Sequence, residues 1–292
     1  MPRSDHKERP SNDVDGIDFP RYGLSVPRAQ ALRYKLLGGL SPYYRGKAAM
    51  AGLPLPLAQA LRRCVSSCDG RLLYVKNPKA ACSSVTQLLH WQDCGHFVPL
   101  NQLHGAAGVR QGVRYAQAHL SSLNDPACVR FTVVRDPVAR TVSAFMMYFA
   151  GAAANIFASA EHQADALVKE QGMWTLGYDP EGDIHRNFDI FLEYLALSLA
   201  VAPAEVNIHW KPQTLSIARG LIDYAHIGRV ETLDEDLRTI GELAGRDLRR
   251  GLAEMPHFNR SKPVRSGAFA ATQAQRSRIR ALYAADYEAF GY

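Results

Sequence analysis

The chain has 292 residues, 47% of them hydrophobic and 21% charged, and a net charge of +6. These proportions fit one large soluble domain with an extension and exclude a disordered chain. The positive charge suits a polyanionic ligand, but the basic residues are spread and no zinc-finger or RNA-recognition signature occurs, so nucleic acid is not an expected partner.

Residues 1–25 are polar and proline-punctuated and predict a mobile tail. The charged start, Met1 to Pro10, precedes no signal-like apolar core, and no run of the chain is long enough to span a bilayer. The cysteines are Cys64, Cys68, Cys82, Cys94 and Cys128, an odd number with no C-x-x-C pair. That pattern predicts free thiols in a reduced, cytoplasmic setting and no metal centre.

Residues 26–70 predict a helical extension. It holds a basic, weakly amphipathic helix over Arg28–Leu40, a loop over Gly38–Tyr44 and a second helix over Pro56–Ser66. The main domain is expected over 71–292, with strands near 72–76, 96–99, 113–118, 129–134 and 224–228. Their alternation with helices predicts a parallel sheet covered on both faces.

The first strand, Leu72–Val75, leads into Lys76-Asn-Pro-Lys79-Ala-Ala-Cys-Ser83-Ser84 and then a helix with Val85, Leu88 and Leu89 on one face. At such a junction the first helical N–H groups lack internal partners and face the positive end of the helix dipole. Lys79 adds a charge and Ser83 and Ser84 add hydroxyls. The pattern G-x-x-x-x-G-K-[ST] is missing, so the anion is not the usual nucleoside triphosphate. Taken alone, the segment fits a proline-punctuated turn equally well.

A second strand, Phe131–Val134, ends in Arg135-Asp136-Pro137. Pro137 suits the first turn of a helix and Asp136 its N-cap. Arg135 therefore sits at a strand's carboxyl end, the edge where open parallel sheets collect ligands, so Lys79 and Arg135 are expected to face one polyanion. Further on, Phe149–Gln171 is alanine-rich and Asp183–Leu199 carries apolar residues at helical spacing, so both predict helices. Between them Gly172–Gly182, with Trp174 and Tyr178, predicts an aromatic loop that either touches a sugar or simply packs. Asp234–Leu248 and Ala271–Tyr287 predict the last helices.

Pro78-Lys79-Ala80-Ala81-Cys82-Ser83-Ser84 followed by Arg135-Asp-Pro-x-x-Arg140-x-x-Ser143-Ala-Phe resembles the sulfotransferases that use 3′-phosphoadenosine 5′-phosphosulfate. Within them it resembles the carbohydrate (family 2) branch, which includes heparan uronyl and chondroitin enzymes. Asn207-Ile-His-Trp-Lys-Pro-Gln213, Tyr224 to Asp236, Asn259-Arg-Ser261 and Asp286 to Tyr292 resemble family blocks in the right order. Ala80-Ala81 departs from the bulkier or hydroxylated residues of many members. The resemblance implies a three-layer α/β/α domain like that of P-loop NTPases, a metal-independent reaction and a hydroxylated acceptor, expected to be a saccharide. Animal members carry a Golgi membrane anchor, and a bacterial-type cytoplasmic enzyme is expected instead.

By the same resemblance Lys79, Ala80, Ala81, Cys82, Ser83 and Ser84 would hold the 5′-phosphosulfate, and Arg135 and Ser143 the 3′-phosphate. Arg260, Ser261 and Lys262 would form a basic loop over the donor or a solvated turn. Lys79 would stabilise charge on the leaving phosphate oxygen. His119, in Tyr115-Ala-Gln-Ala-His119, resembles the family's Gly-His-x-Ser stretch with Ala118 for glycine. It is the expected base at the end of a strand, with His209 and His104 as alternatives. Cys82 reads as a small residue in a tight turn. Two other classes stay open: a small-molecule kinase, which would normally show a glycine–lysine loop and magnesium carboxylates, and a non-catalytic binding or scaffolding protein on the same fold.

Overall fold

A computed structural model describes residues 13–14, 17–19, 21–22, 26–99, 102–103, 108–149, 172–255 and 269–292. Its first strands, β1 (Asp13–Val14) and β2 (Ile17–Asp18), form a short antiparallel hairpin. The core is a five-stranded sheet of β3 (Cys64–Ser66), β4 (Leu72–Val75), β5 (Arg110–Gln111), β6 (Val129–Val134) and β7 (His226–Arg229), ordered β5-β3-β4-β6-β7.

The pairs β4–β6 and β6–β7 are parallel, with Tyr74 opposite Phe131 and Val133 opposite Gly228. Strands β3 and β5 run antiparallel at one side, so the expected parallel sheet is its central part only. The alternation of β4 and β6 divides the core into two layers. Leu72, Tyr74, Phe131 and Val133 pack against Val85, Leu88 and Leu89 of α4 (Cys82–Cys94) and against Leu237 and Ile240 of the helix Leu233–Ala244. Leu73, Val75 and Val134 face the other way, onto Ala60, Ile217 and Phe290. A third cluster joins α6 (Pro137–Tyr148) to the helices Ile184–Val201 and Gln273–Leu282 around Trp210.

Two expected strands are absent. Residues 96–99 form no strand, and 113–118 is a 3-10 turn, Val113–Tyr115, that runs into α5 (Ala116–Asn124). Gly112, at φ 87°, turns the chain there, and Ala116, Gln117, Ala118 and Leu120 are good helix formers. The sheet instead gains β3 and β5, so it starts at Cys64 rather than Arg71.

The extension comprises α1 (Ala31–Gly38), α2 (Pro42–Met50) and α3 (Leu55–Arg63). Ser41 caps α2, whose Pro42 occupies the first turn, so the expected loop is shorter than Gly38–Tyr44. Helix α1 packs on α2, and α2 packs on α5 and on Val113–Tyr115. There Gly46 lets two backbones meet, since a Cβ at that position would lie 1.7 Å from the Val113 carbonyl oxygen. Part of the expected mobile tail is fixed to the body: Phe19 is buried against Tyr194, and the Tyr22 N–H donates to the Glu205 carbonyl at 2.7 Å.

Candidate functional site

Strands β4, β6 and β7 end at the same edge, and the two cationic motifs meet there. The Arg135 guanidinium donates through Nη1 to the Lys79 carbonyl at 3.2 Å, so the loop after β4 and the turn after β6 touch directly. In the first loop Lys79 and Ala81 both adopt left-handed backbone, at φ 68° and 54°. Such conformations cost non-glycine residues about 1 kcal/mol or more each and persist where the surroundings hold them. They turn the chain so that α4 starts with no side chain capping its N-terminus. Its first N–H groups point to the edge, as an anion site requires. Among the described residues the hydroxyls of Ser83, Ser84 and Ser143 have no hydrogen-bond partner. Asp136 caps α6 by accepting from the Ala139 N–H at 2.7 Å, with Pro137 behind it, as the sequence predicts.

The same edge is tied together by buried polar side chains. Arg140 is 2% exposed, and its guanidinium donates to the carbonyls of Pro78 (3.1 Å), Lys211 (2.8 Å) and Ile208 (3.1 Å). It therefore joins the first loop, α6 and the segment 207–213. Gln213 accepts at Oε1 from the Arg135 N–H (3.0 Å) and from Asn77 Nδ2 (2.8 Å), and donates through Nε2 to the Arg135 carbonyl (2.8 Å). Behind it the buried Asp286 carboxylate accepts from the N–H groups of Gln213 and Thr214. The sequence gives no local sign of these ties. Their partners lie far apart in the chain, and only the family blocks mark them.

Electrostatically the edge is a store of positive charge. Burial pushes the Lys79 ammonium down to about 8, against an opposing pull from Cys82, and the nearby charges of Arg135 and Arg140 push it the same way. Its Nζ contacts the Met147 sulfur at 2.9 Å, a weak acceptor. Burial likewise lowers Arg135 and Arg140. Among the described residues none of these three cations forms an ion pair.

His119 is not part of this edge. It lies on α5 rather than at a strand end, is 0% exposed, and has each ring nitrogen 3.1 Å from a carbonyl: Nδ1 from Leu61 and Nε2 from Arg110. Burial lowers its pKa despite those two carbonyls. Enclosed in this way it bridges α3 and β5, and the expected place at the end of a strand is corrected to the interior of α5.

His209 lies at the edge instead. Arg140 holds the carbonyl of its neighbour Ile208, and Asn207 Oδ1 sits 2.8 Å from His209 Nδ1. A proton on Nδ1 leaves Nε2 with its lone pair. The Tyr148 hydroxyl lies 3.0 and 2.9 Å from the two ring nitrogens, so it faces the ring rather than one nitrogen. Tyr148 follows Met147, the contact of Lys79, on α6. His104, Arg260, Ser261 and Lys262 lie outside the described residues, as does most of Phe149–Gln171.

A model of the Sulfotransferase family matches residues 63–292. The chain belongs to the Sulfotransferase family. No curated protein and no solved structure matches it significantly. The match begins at the end of α3, takes in β3 with the rest of the sheet, and leaves α1 and α2 outside. Sulfuryl transfer to a hydroxylated acceptor is the reaction of this family, and the α/β/α sandwich is its P-loop-like fold.

Proposed function

We propose that the chain transfers the sulfuryl group of 3′-phosphoadenosine 5′-phosphosulfate to a carbohydrate hydroxyl, without a metal. The contact of Arg135 with Lys79 carries this reading, because it joins two cationic loops into one site for a ligand with anionic groups at both ends. The fit rests on the uncapped start of α4 and, among the described residues, on the unpartnered hydroxyls of Ser83, Ser84 and Ser143 and three cations without an ion-paired carboxylate. The N–H groups around Ala80 to Ser84 would hold the 5′-phosphosulfate, and Arg135 and Ser143 the 3′-phosphate. Ala80 and Ala81 offer main-chain groups only. The loop containing Arg260 and Ser261 would close on the same ligand.

In the reaction the acceptor oxygen bonds to sulfur as the bond from sulfur to the bridging phosphate oxygen breaks. Adenosine 3′,5′-bisphosphate leaves, and the acceptor proton passes to a base. In-line displacement of this kind needs positioned cations more than covalent chemistry. Lys79 neutralises the oxygen that leaves. His209 takes the proton at Nε2, with Asn207 fixing the tautomer. A saccharide acceptor is favoured by Trp174, which is 51% exposed and packs on Tyr178 at 5.7 Å. Tyr178 donates to the Phe149 carbonyl, so the aromatic loop is attached to the end of α6 beside Tyr148 and His209.

Calorimetry and turnover together test the reading. Adenosine 3′,5′-bisphosphate should bind without magnesium and more tightly than ATP; preference for magnesium–ATP would favour the kinase class. With donor present, a panel of saccharides and simple alcohols should include a sulfated product, and its absence throughout would favour a binding protein. His209→Ala should keep bisphosphate binding and lose about a hundredfold to ten-thousandfold in turnover. Undiminished turnover would move the base elsewhere.

A further inference from the structure

The outer face of α1 carries apolar side chains that no described residue covers. Leu32 is 68% exposed, Leu36 73%, and Leu40, just past the helix end, 84%. Their spacing of four places them in one stripe. Ala29, Leu32, Arg33, Leu36 and Leu37 line a shallow groove along it. The opposite side of α1 is committed to the body, where Tyr34 packs on the cluster of Met50 and Leu61 and Gly38 lies against Arg45.

Charge identifies what the stripe meets. At helical periodicity Arg33 flanks it on one side and Lys35 on the other. The whole stretch 19–68 holds eight basic residues, Arg21, Arg28, Arg33, Lys35, Arg45, Lys47, Arg62 and Arg63, and no acidic one. The chain as a whole carries only +6, so the remainder is slightly acidic. An apolar stripe bordered by cations is the pattern of a helix that lies in the headgroup region of an anionic bilayer. A second copy of the chain fits poorly, because pairing two such faces would bring like charges together without a carboxylate to offset them. A saccharide fits poorly as well, since three exposed leucines offer it no hydrogen bonds. The family match starts at residue 63, so this face lies outside the catalytic unit.

We propose that the α1 face docks the protein onto an anionic phospholipid surface, with Leu32, Leu36 and Leu40 among the acyl chains near the headgroups and Arg33 and Lys35 at the phosphates. The proposal is independent of the acceptor.

Co-sedimentation of the full chain with vesicles tests it. The protein should pellet with phosphatidylcholine vesicles containing phosphatidylglycerol and stay in solution with phosphatidylcholine alone. Arg33→Gln with Lys35→Gln should weaken binding about 25-fold, near fivefold per cation. Leu32→Ser with Leu36→Ser and Leu40→Ser should weaken it by at least about tenfold. All these side chains are exposed, so thermal unfolding and bisphosphate binding should stay at wild-type values in both variants, showing that the fold is intact. Failure of the wild type to pellet with anionic vesicles would overturn the proposal, as would a leucine variant that binds like the wild type. A dimer in light scattering that the leucine variant abolishes and vesicles do not compete with would assign the face to a second copy instead.

Discussion

The donor edge and the Asp236 cluster beside β7 handle charge in opposite ways. At β7, Asp236 accepts from His226 Nε2 (2.7 Å), the Arg229 N–H (2.8 Å) and the Thr232 hydroxyl (2.7 Å), so an acid is surrounded by its own donors. Burial alone would raise Asp236, and these hydrogen bonds outweigh it and hold the carboxyl below its usual range. At the donor edge Lys79, Arg135 and Arg140 are held by carbonyls and a thioether, and the acids that act on them through space, Glu231 and Asp136 on Arg135 and Asp286 on Arg140, form no ion pair with them among the described residues. Glu231 accepts from the Asp136 N–H and the Tyr292 hydroxyl, and Asp286 from backbone N–H groups. Neutral acceptors position a cation without cancelling it. The charge that β7 spends on its own structure is left at the donor edge for a ligand.

Four experiments break or sharpen this contrast. The largest effect is expected from Arg140→Ala, which strands three buried carbonyls and leaves a cavity. Urea unfolding should show a loss of about 4 kcal/mol or more, while a loss under 1 kcal/mol would mean that water replaces the guanidinium.

Lys79→Ala should fold normally and lose about a hundredfold to a thousandfold in turnover. In the free protein Lys79 titrates at about 8, so above that pH it is largely neutral, and a bound phosphate favours its charged form. Bisphosphate affinity should therefore fall as pH rises through about 8. Calorimetry at such a pH in two buffers of different ionisation enthalpy should show proton uptake on binding, lost in Lys79→Ala. Uptake that persists in the variant would assign the proton to another group.

His119→Ala should cost about 2 kcal/mol by unpairing a buried carbonyl and opening a small cavity. Turnover at a permissive temperature should remain near wild type, and a hundredfold loss in the folded variant would restore His119 as the base. The smallest effect is expected from Asp236→Asn, about 1 kcal/mol of stability with bisphosphate affinity unchanged. Because the folded carboxyl is depressed, its contribution is present above the unfolded pKa near 4 and fades as pH falls through the lower folded value. A change in donor affinity would show that the two regions are electrically coupled after all.

The donor loops were legible because their signal is local. A strand, a charged turn and the start of a helix sit within some twenty residues in each, and Asp136 and Pro137 act where the pattern places them. The antiparallel side of the sheet was not legible. Strands β3 and β5 have three and two residues, too few for an alternation to register. The Val113 to Ala118 run imitated a strand until Gly112 and the alanines that follow turned it helical. Arg140 stood in a recognised motif without a role, because its three carbonyl partners lie 62 to 71 residues away. His119 was misplaced for a related reason: no local pattern reveals that Leu61 and Arg110 close around it.

The two left-handed residues of the first loop have a consequence for the timing of ligand capture. A glycine-rich loop is floppy before its ligand arrives and must lose that freedom on binding. Here Lys79 and Ala81 take up the unfavourable backbone when the chain folds, so the ordering cost is charged against stability, once, and not against each encounter with donor. Glycine at position 81 would then make a sturdier protein with a slower, weaker grip.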